Sequence, residues 1–167
     1  DGLTKGEEGW RAAPYLCEAK EPTIGYGCTS YEDGTKVKLT DPPITRERGQ
    51  ALLDFKIAEG IQRVLQMVKG QCTTNQLVGL VLCGFNIGWE GLEGSSMIKA
   101  HLRGDYAAAG RAFGLWNQYR PGGKGTPLKE HPVLTARRAR EAGIYRLPDD
   151  QAEVVTHEVP QVPQKVE

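Results

Sequence analysis

A chain of 167 residues, 39% hydrophobic and 25% charged, can bury one core or two small lobes and has the composition of a soluble globular protein. No apolar run approaches the roughly eighteen residues of a membrane span, and no nucleic-acid motif accompanies the basic residues. The formal charge is zero but uneven: from Pro148 onward five acids face only Lys165, a net −4, which leaves +4 on residues 1–147.

The first residues lack a signal-peptide pattern. The chain starts at Asp1 rather than Met, so a removed export or anchor segment is compatible with it. Residues 2–10, GLTKGEEGW, predict a short helix stopped by Gly9. Pro14 and Pro22 argue against helix through residues 12–23. The run TIGYGCTSYEDGTKVKLT has β-formers on both sides of Asp33–Gly34, a hairpin signal. DPPIT breaks the chain, and Thr45 opens a long amphipathic helix with apolar residues from Ala51 to Val68.

Thr73 is a predicted N-cap for TTNQLVGLVLCGFNIG, whose run from Leu77 to Phe85 is apolar on nearly every side and predicts a central buried helix. SSMIKAHLRGDYAAAGRAFGLWN predicts two shorter helices joined at Gly104–Asp105. RPGGKGTPLKEHP reads as loop, and VLTARRAREAGIYR as a closing amphipathic helix. Residues 148–167 have little to bury and are expected to form a flexible acidic tail. The expected organisation is one domain over 1–147, with a small β-containing lobe at about 10–45 and a helical lobe from about 46 joined by the N-terminal helix.

The cysteines stand at 17, 28, 72 and 83, with no Cys-x-x-Cys spacing, so zinc is not expected. If Cys72 and Cys83 shared one helix they would sit about 16 Å apart along its axis, too far to bridge. Both are read as buried apolar residues. A Cys17–Cys28 bridge stays open.

Seven Arg or Lys and only two acids lie between Arg120 and Arg146. Such a segment is either a solvated helical face or an adsorption face for a polyanion, whose grip weakens with salt.

The stretch EGWRAAPYLCEAKEPTIGYG carries the chemistry-bearing residues. Glycosidic cleavage needs a carboxylic acid to protonate the leaving oxygen and a second group to manage water or attack the sugar. Glu8 suits the first task, Thr23 can orient water, and Cys17 is the unusual member because a neutral thiol is a weak base. Taken singly, each is most simply a solvated acid, a core thiol or a strand residue.

Their spacing resembles that of the phage-type lysozymes, glycoside hydrolase family 24: Glu, eight residues, Asp or Cys, five residues, then Thr opening a TIGYG-like strand. Glu7 is out of register, since nine residues on from it lies Leu16. The helix TTNQLVGLVLCGFNIG, the segment GDYAAAGRAFGLWN and the closing RRAREAGIY are similar to further family segments, in the family's order.

The resemblance implies an α+β lysozyme-like fold, mostly helical, with a small β-hairpin lobe and a cleft between two lobes. It implies hydrolysis of the β-1,4 bond between N-acetylmuramic acid and N-acetylglucosamine in bacterial peptidoglycan, causing lysis. Glu8 is then the general acid, Cys17 and Thr23 position water, and inversion is expected. Tyr15 matches a recurrent substrate-binding aromatic, and Arg138 is the candidate partner of the acid. Two departures stand out: Cys17 where Asp is more frequent, with Glu18 or Glu21 as substitute carboxylates, and Cys28 where His often follows the glycine.

No residue constellation calls for a metal or organic cofactor. The expected partner is peptidoglycan, with no nucleic acid, no stable membrane insertion and a monomeric chain. The expected location is the host cytoplasm before release and the periplasmic wall in action. The competing readings are a peptidoglycan-binding module that has lost catalysis, favoured by Cys17, and a lytic component of a phage particle. Oxidation of Cys17 onto another thiol would lock the site.

Overall fold

The computed structural model describes residues 9–17, 20–120 and 125–149. The expected N-terminal helix, Glu8 and nearly all of the acidic tail lie outside the described residues. The chain divides into two compact units, residues 1–59 and 60–167. The division falls within the long helix rather than at its start.

In the first unit, β1 (Arg11–Leu16) pairs antiparallel with β2 (Pro22–Gly25). The sequence analysis excluded helix here but did not anticipate β1, because Pro14 cannot donate to a ladder. The structure accommodates it with a register irregularity: Arg11 faces Gly25 and Tyr15 faces Thr23, so four steps on β1 match two on β2.

Ile24 and Cys28 then exchange backbone hydrogen bonds of 2.9 and 3.0 Å. This closure requires left-handed backbone at Gly25 (φ 67°) and Gly27 (φ 93°), which explains both glycines of TIGYG. The predicted Asp33–Gly34 turn is present. Asp33 Oδ1 accepts from Thr35 N at 2.8 Å, and Ser30 and Lys36 form an antiparallel bridge.

Helix α1 (Arg46–Met67) begins where expected, with Thr45 Oγ1 accepting from Arg48 N at 3.2 Å. Its first half ties down the preceding loops. Arg48 grips the Glu32 carboxylate with both Nη atoms, and Lys56 Nζ donates to Tyr31 O at 3.1 Å. The small core beneath is Ile24, Cys28, Val37 and Leu52, flanked by Tyr31 and Ile44.

The second unit is built around α2 (Thr74–Ile87). Thr73 caps it in a reciprocal capping box with Gln76, which satisfies two otherwise orphaned N–H groups. Its faces are buried from Gln76 to Gly84, whereas the C-terminal Phe85 is exposed. Cys72 precedes the cap, so it does not share a helix with Cys83, yet both are buried. No disulfide joins the four cysteines.

A short α3 (Trp89–Glu93), which the sequence did not signal, follows Gly88. The Trp89 ring sits where a Cβ on Gly84 or Gly60 would be, at 2.2 and 2.7 Å, so tertiary packing holds that turn. Helices α4 (Ser96–Leu102) and α5 (Tyr106–Ala112) are joined at Gly104–Asp105 as the sequence predicts, and Asp105 caps α5.

A 3-10 turn (Phe113–Trp116) ends the segment predicted as helix, and a minimal ribbon follows, β3 (Gln118–Tyr119) with β4 (Lys129–Glu130), of which β4 lies in the predicted loop. The closing α6 (Pro132–Arg146) packs mainly on α2. Their backbones approach closely at Gly79, where a Cβ would meet Tyr145 Cβ at 2.9 Å. Mostly helical with small β elements, the fold is α+β.

Candidate functional site

The site residues of the first unit lie on one turn. Cys17 follows β1 directly, and its N–H donates to Glu21 O at 3.1 Å, while Lys20 N donates back to Cys17 O at 2.8 Å. Lys20 takes φ 60° to close the loop. Thr23 Oγ1 donates to the same Glu21 carbonyl at 2.9 Å. One oxygen therefore fixes both the Cys17 backbone and the Thr23 hydroxyl.

Thr23 is 2% exposed, and its hydroxyl hydrogen is committed to Glu21. Its remaining lone pairs make it an acceptor. A water that donates one hydrogen to Thr23 is oriented and made more nucleophilic. Cys17 is half-buried. Tyr15 stands opposite Thr23 in the ladder, so the two side chains share a face.

The Arg11 guanidinium lies over the Tyr15 ring, 4.4 Å from its centroid. Arg11, four residues before Tyr15, falls on the same strand face by simple alternation. Sequence reasoning missed it because β1 itself was not anticipated.

Glu8 lies outside the described residues, but the chain two residues later is firmly anchored. The Trp10 ring contacts Tyr26, with centroids 5.1 Å apart, and the Arg46 guanidinium sits 5.6 Å from its centroid. Gly49 of α1 has no side chain to obstruct it: a Cβ there would fall 2.2 Å from the ring. The packing of Trp10 on Gly49 is a contact that the sequence reading did not single out, although a tryptophan in the opening stretch was the available signal.

Of the substitute carboxylates, Glu18 is outside the described residues. The exposed Glu21 carboxylate is 3.5 Å from Lys36 Nζ. Cys28 is buried and spends both backbone groups on Ile24.

Arg138 is 1% exposed and donates from Nη2 to Glu141 Oε1 at 2.7 Å, one turn along α6. It is therefore no part of a basic surface, which corrects the reading of residues 120–146 as one charged face. Its Nε and Nη1, and Glu141 Oε2, have no hydrogen-bond partner among the described residues. Its pairing with Glu8 falls outside them.

Desolvation, only partly offset by the neighbouring Arg138 and Arg137, pushes the Glu141 carboxyl up to about 6. Burial likewise raises Cys72 to about 11 and Cys83 to about 12, so neither is a thiolate at neutral pH. Among the described residues, no group of three or more His, Cys, Asp or Glu could hold a metal ion, and no helix is long and apolar enough to cross a membrane.

The family model for phage lysozyme matches residues 5–141. The chain belongs to the phage lysozyme family. Relatives of this family include the endolysin of Acyrthosiphon pisum secondary endosymbiont phage 1, 33% identical over 143 residues, covering 86% of this chain and 92% of that protein. The endolysin of Salmonella phage P22 is 31% identical over 147 residues, covering 87% of this chain and 94% of that protein.

Among solved structures, the endolysin from Escherichia coli O157:H7 phage FAHEc1 superposes with a TM-score of 0.72 at 31% identity, covering 86% of this chain and 87% of that one. The phage lysozymes are endolysins, hydrolases of peptidoglycan, and this chain is one of them by descent and by fold.

Proposed function

We propose that this phage lysozyme cleaves the β-1,4 bond between N-acetylmuramic acid and N-acetylglucosamine, with Glu8 as general acid and Cys17 and Thr23 positioning the attacking water. The observation that carries the reading is the Glu21 carbonyl, which holds Cys17 N and Thr23 Oγ1 together opposite Tyr15. Glu8 protonates the bridging oxygen as the bond to the anomeric carbon lengthens. A water donating to Thr23 attacks from the opposite face, inverting the anomeric centre and releasing one proton to solvent.

In this reading Tyr15 supplies a ring face against which a sugar packs. Arg138 is a long-range candidate for holding Glu8, with two N–H groups unspent among the described residues. The enzyme acts on the periplasmic wall after leaving the host cytoplasm.

Glu8→Gln tests the assignment. General acid catalysis contributes about 10²–10⁴-fold, so clearing of permeabilised Gram-negative cells should fall by at least a hundredfold while wall binding and thermal midpoint are retained. If wild type and Glu8→Gln both bind walls and neither clears them, the chain is a binding module and the enzymatic reading fails.

A further inference from the structure

A cavity of about 640 Å³ lies wholly within the second unit, on residues that the proposed chemistry does not use. Its size falls in the range of small-ligand pockets, about 300–1,000 Å³. Ala107, Leu147, Pro148 and the Tyr106 ring supply apolar wall. The polar part of the lining is one-sided, because its unspent groups are donors.

Arg111 and Arg146 make no hydrogen bond or ion pair among the described residues. Gly110 brings them onto one helix. A Cβ there would stand 2.7 Å from Arg146 Nε and 3.4 Å from its Cζ, so the bare backbone lets the α6 guanidinium lie on α5, which carries Arg111. No acid occurs in α5 to offset the two charges.

Thr73 and Gln76 extend the donor set. Their capping box uses Thr73 Oγ1 and Gln76 Oε1 as acceptors, which leaves the Thr73 hydroxyl hydrogen and the Gln76 Nε2 hydrogens unspent among the described residues. The acceptors at the rim are already taken. Asp149 Oδ2 accepts from Thr74 N at 2.8 Å and Oδ1 from Asn75 N at 3.3 Å, which commits that carboxylate to the start of α2. The Leu147 and Pro148 carbonyls both accept from Asn75 Nδ2 at 3.4 Å.

We propose that this cavity binds a phosphate monoester bearing a small apolar or aromatic group. Two guanidinium groups call for two negative charges. A phosphate monoester carries about −1.5 to −2 at pH 7, whereas a carboxylate carries a single charge. Guanidinium forks match phosphate oxygens bidentately, and the remaining oxygen suits the Thr73 and Gln76 donors. The apolar body then packs against Ala107 and Leu147.

The test is an amide NMR titration of the full chain with phenyl phosphate, with inorganic phosphate, benzoate and phenol as separate arms. Phenyl phosphate at up to about 10 mM should shift the Thr73, Ala107 and Arg111 signals saturably, and less so as salt is raised. Inorganic phosphate lacks the apolar body and benzoate the second charge, so each should bind more weakly. Phenol should leave these signals in place.

Arg111→Gln/Arg146→Gln should lower the affinity by about tenfold or more, since charge-assisted hydrogen bonds are lost. Arg111→Lys/Arg146→Lys keeps the charge without the forks and should fall between; it also carries the test if the glutamine pair does not fold. Unmoved Leu80 and Ile98 signals report an intact core in each variant. Absence of a saturable shift with phenyl phosphate overturns the proposal. So does inorganic phosphate, benzoate or phenol binding as tightly, which would make the hollow a free-phosphate, carboxylate or purely apolar site. Affinity unchanged in the substituted pairs overturns it as well, because the arginines would then stand outside the site.

Discussion

The two units of this molecule solve different problems. Among the described residues, the first has a core cluster of four buried side chains with two flanking ones, and is held mainly by turns, glycines and side-chain ties such as Arg48–Glu32 and Lys56–Tyr31 O. The second buries seventeen hydrophobic residues, from Val64 to Tyr145, in one cluster. It also encloses an Arg138–Glu141 pair. A thin core leaves the chemistry-bearing turn set by a few directional contacts, whereas the thick core can carry the burden of a desolvated ion pair. Disturbing the first unit should therefore affect activity most, and disturbing the second should affect stability most.

The largest stability loss is expected from Phe113→Ala. Phe113 is fully buried and packs against Tyr145, with ring centroids 5.4 Å apart. Truncating such a side chain costs about 3–5 kcal/mol, readable as a lowered urea midpoint. A loss under about 1 kcal/mol would mean that the second core is looser than its burial suggests.

Gly49→Ala probes the other unit. The added methyl would meet the Trp10 ring at 2.2 Å, and a rigid ring held by Tyr26 and Arg46 has little room to retreat. Overpacking of this kind costs up to about 3 kcal/mol. Here wall clearing should fall further than the stability change explains, because the displaced residue is two places from Glu8. Unaltered clearing would show that the Trp10 contact does not bear on activity.

Smaller, but confined to a defined pH window, is the effect of Glu141. Its folded pKa of about 6 stands above the ordinary 4.5, so the folded state holds this proton more tightly than the unfolded state. Its contribution is greatest below about pH 4.5 and is lost as pH rises to about 6, by about 2 kcal/mol.

His101 runs the other way. Burial lowers its pKa, so its contribution is lost as pH falls below the usual imidazole range. The difference between wild type and Glu141→Gln across pH 4.5–6 isolates the carboxyl. Parallel stability curves would show that Glu141 titrates alike in the folded and unfolded chain, with Arg138 compensating its burial in full.

The helices were legible in the sequence because capping residues and periodicity are local signals. Thr45, Thr73 and Asp105 each begin a helix where the pattern placed them. Strand β1 was not, since Pro14 argues against a ladder and only the irregular pairing with β2 accommodates it. Helix α3 was hidden for a different reason: its order comes from Trp89 packing on Gly60 and Gly84, which no local window contains.

At the site, the spacing Glu8–Cys17–Thr23 was readable, and so was the place of Tyr15 near them. The carbonyl that links Cys17 to Thr23 was not, because main-chain geometry leaves no residue-type signature. Arg138 was legible as a cation but not as a buried one. Its partner Glu141 lies three residues along the same helix, the spacing that an exposed pair would also show.

The shared acceptor at Glu21 has a practical corollary for protein engineering. Any change that tilts the peptide plane between residues 21 and 22 drags the sulfur-bearing position and the alcohol along together, so neither can be retuned alone. Variation around this loop is better introduced as a cassette from 17 to 23, swapped whole, than accumulated one codon at a time.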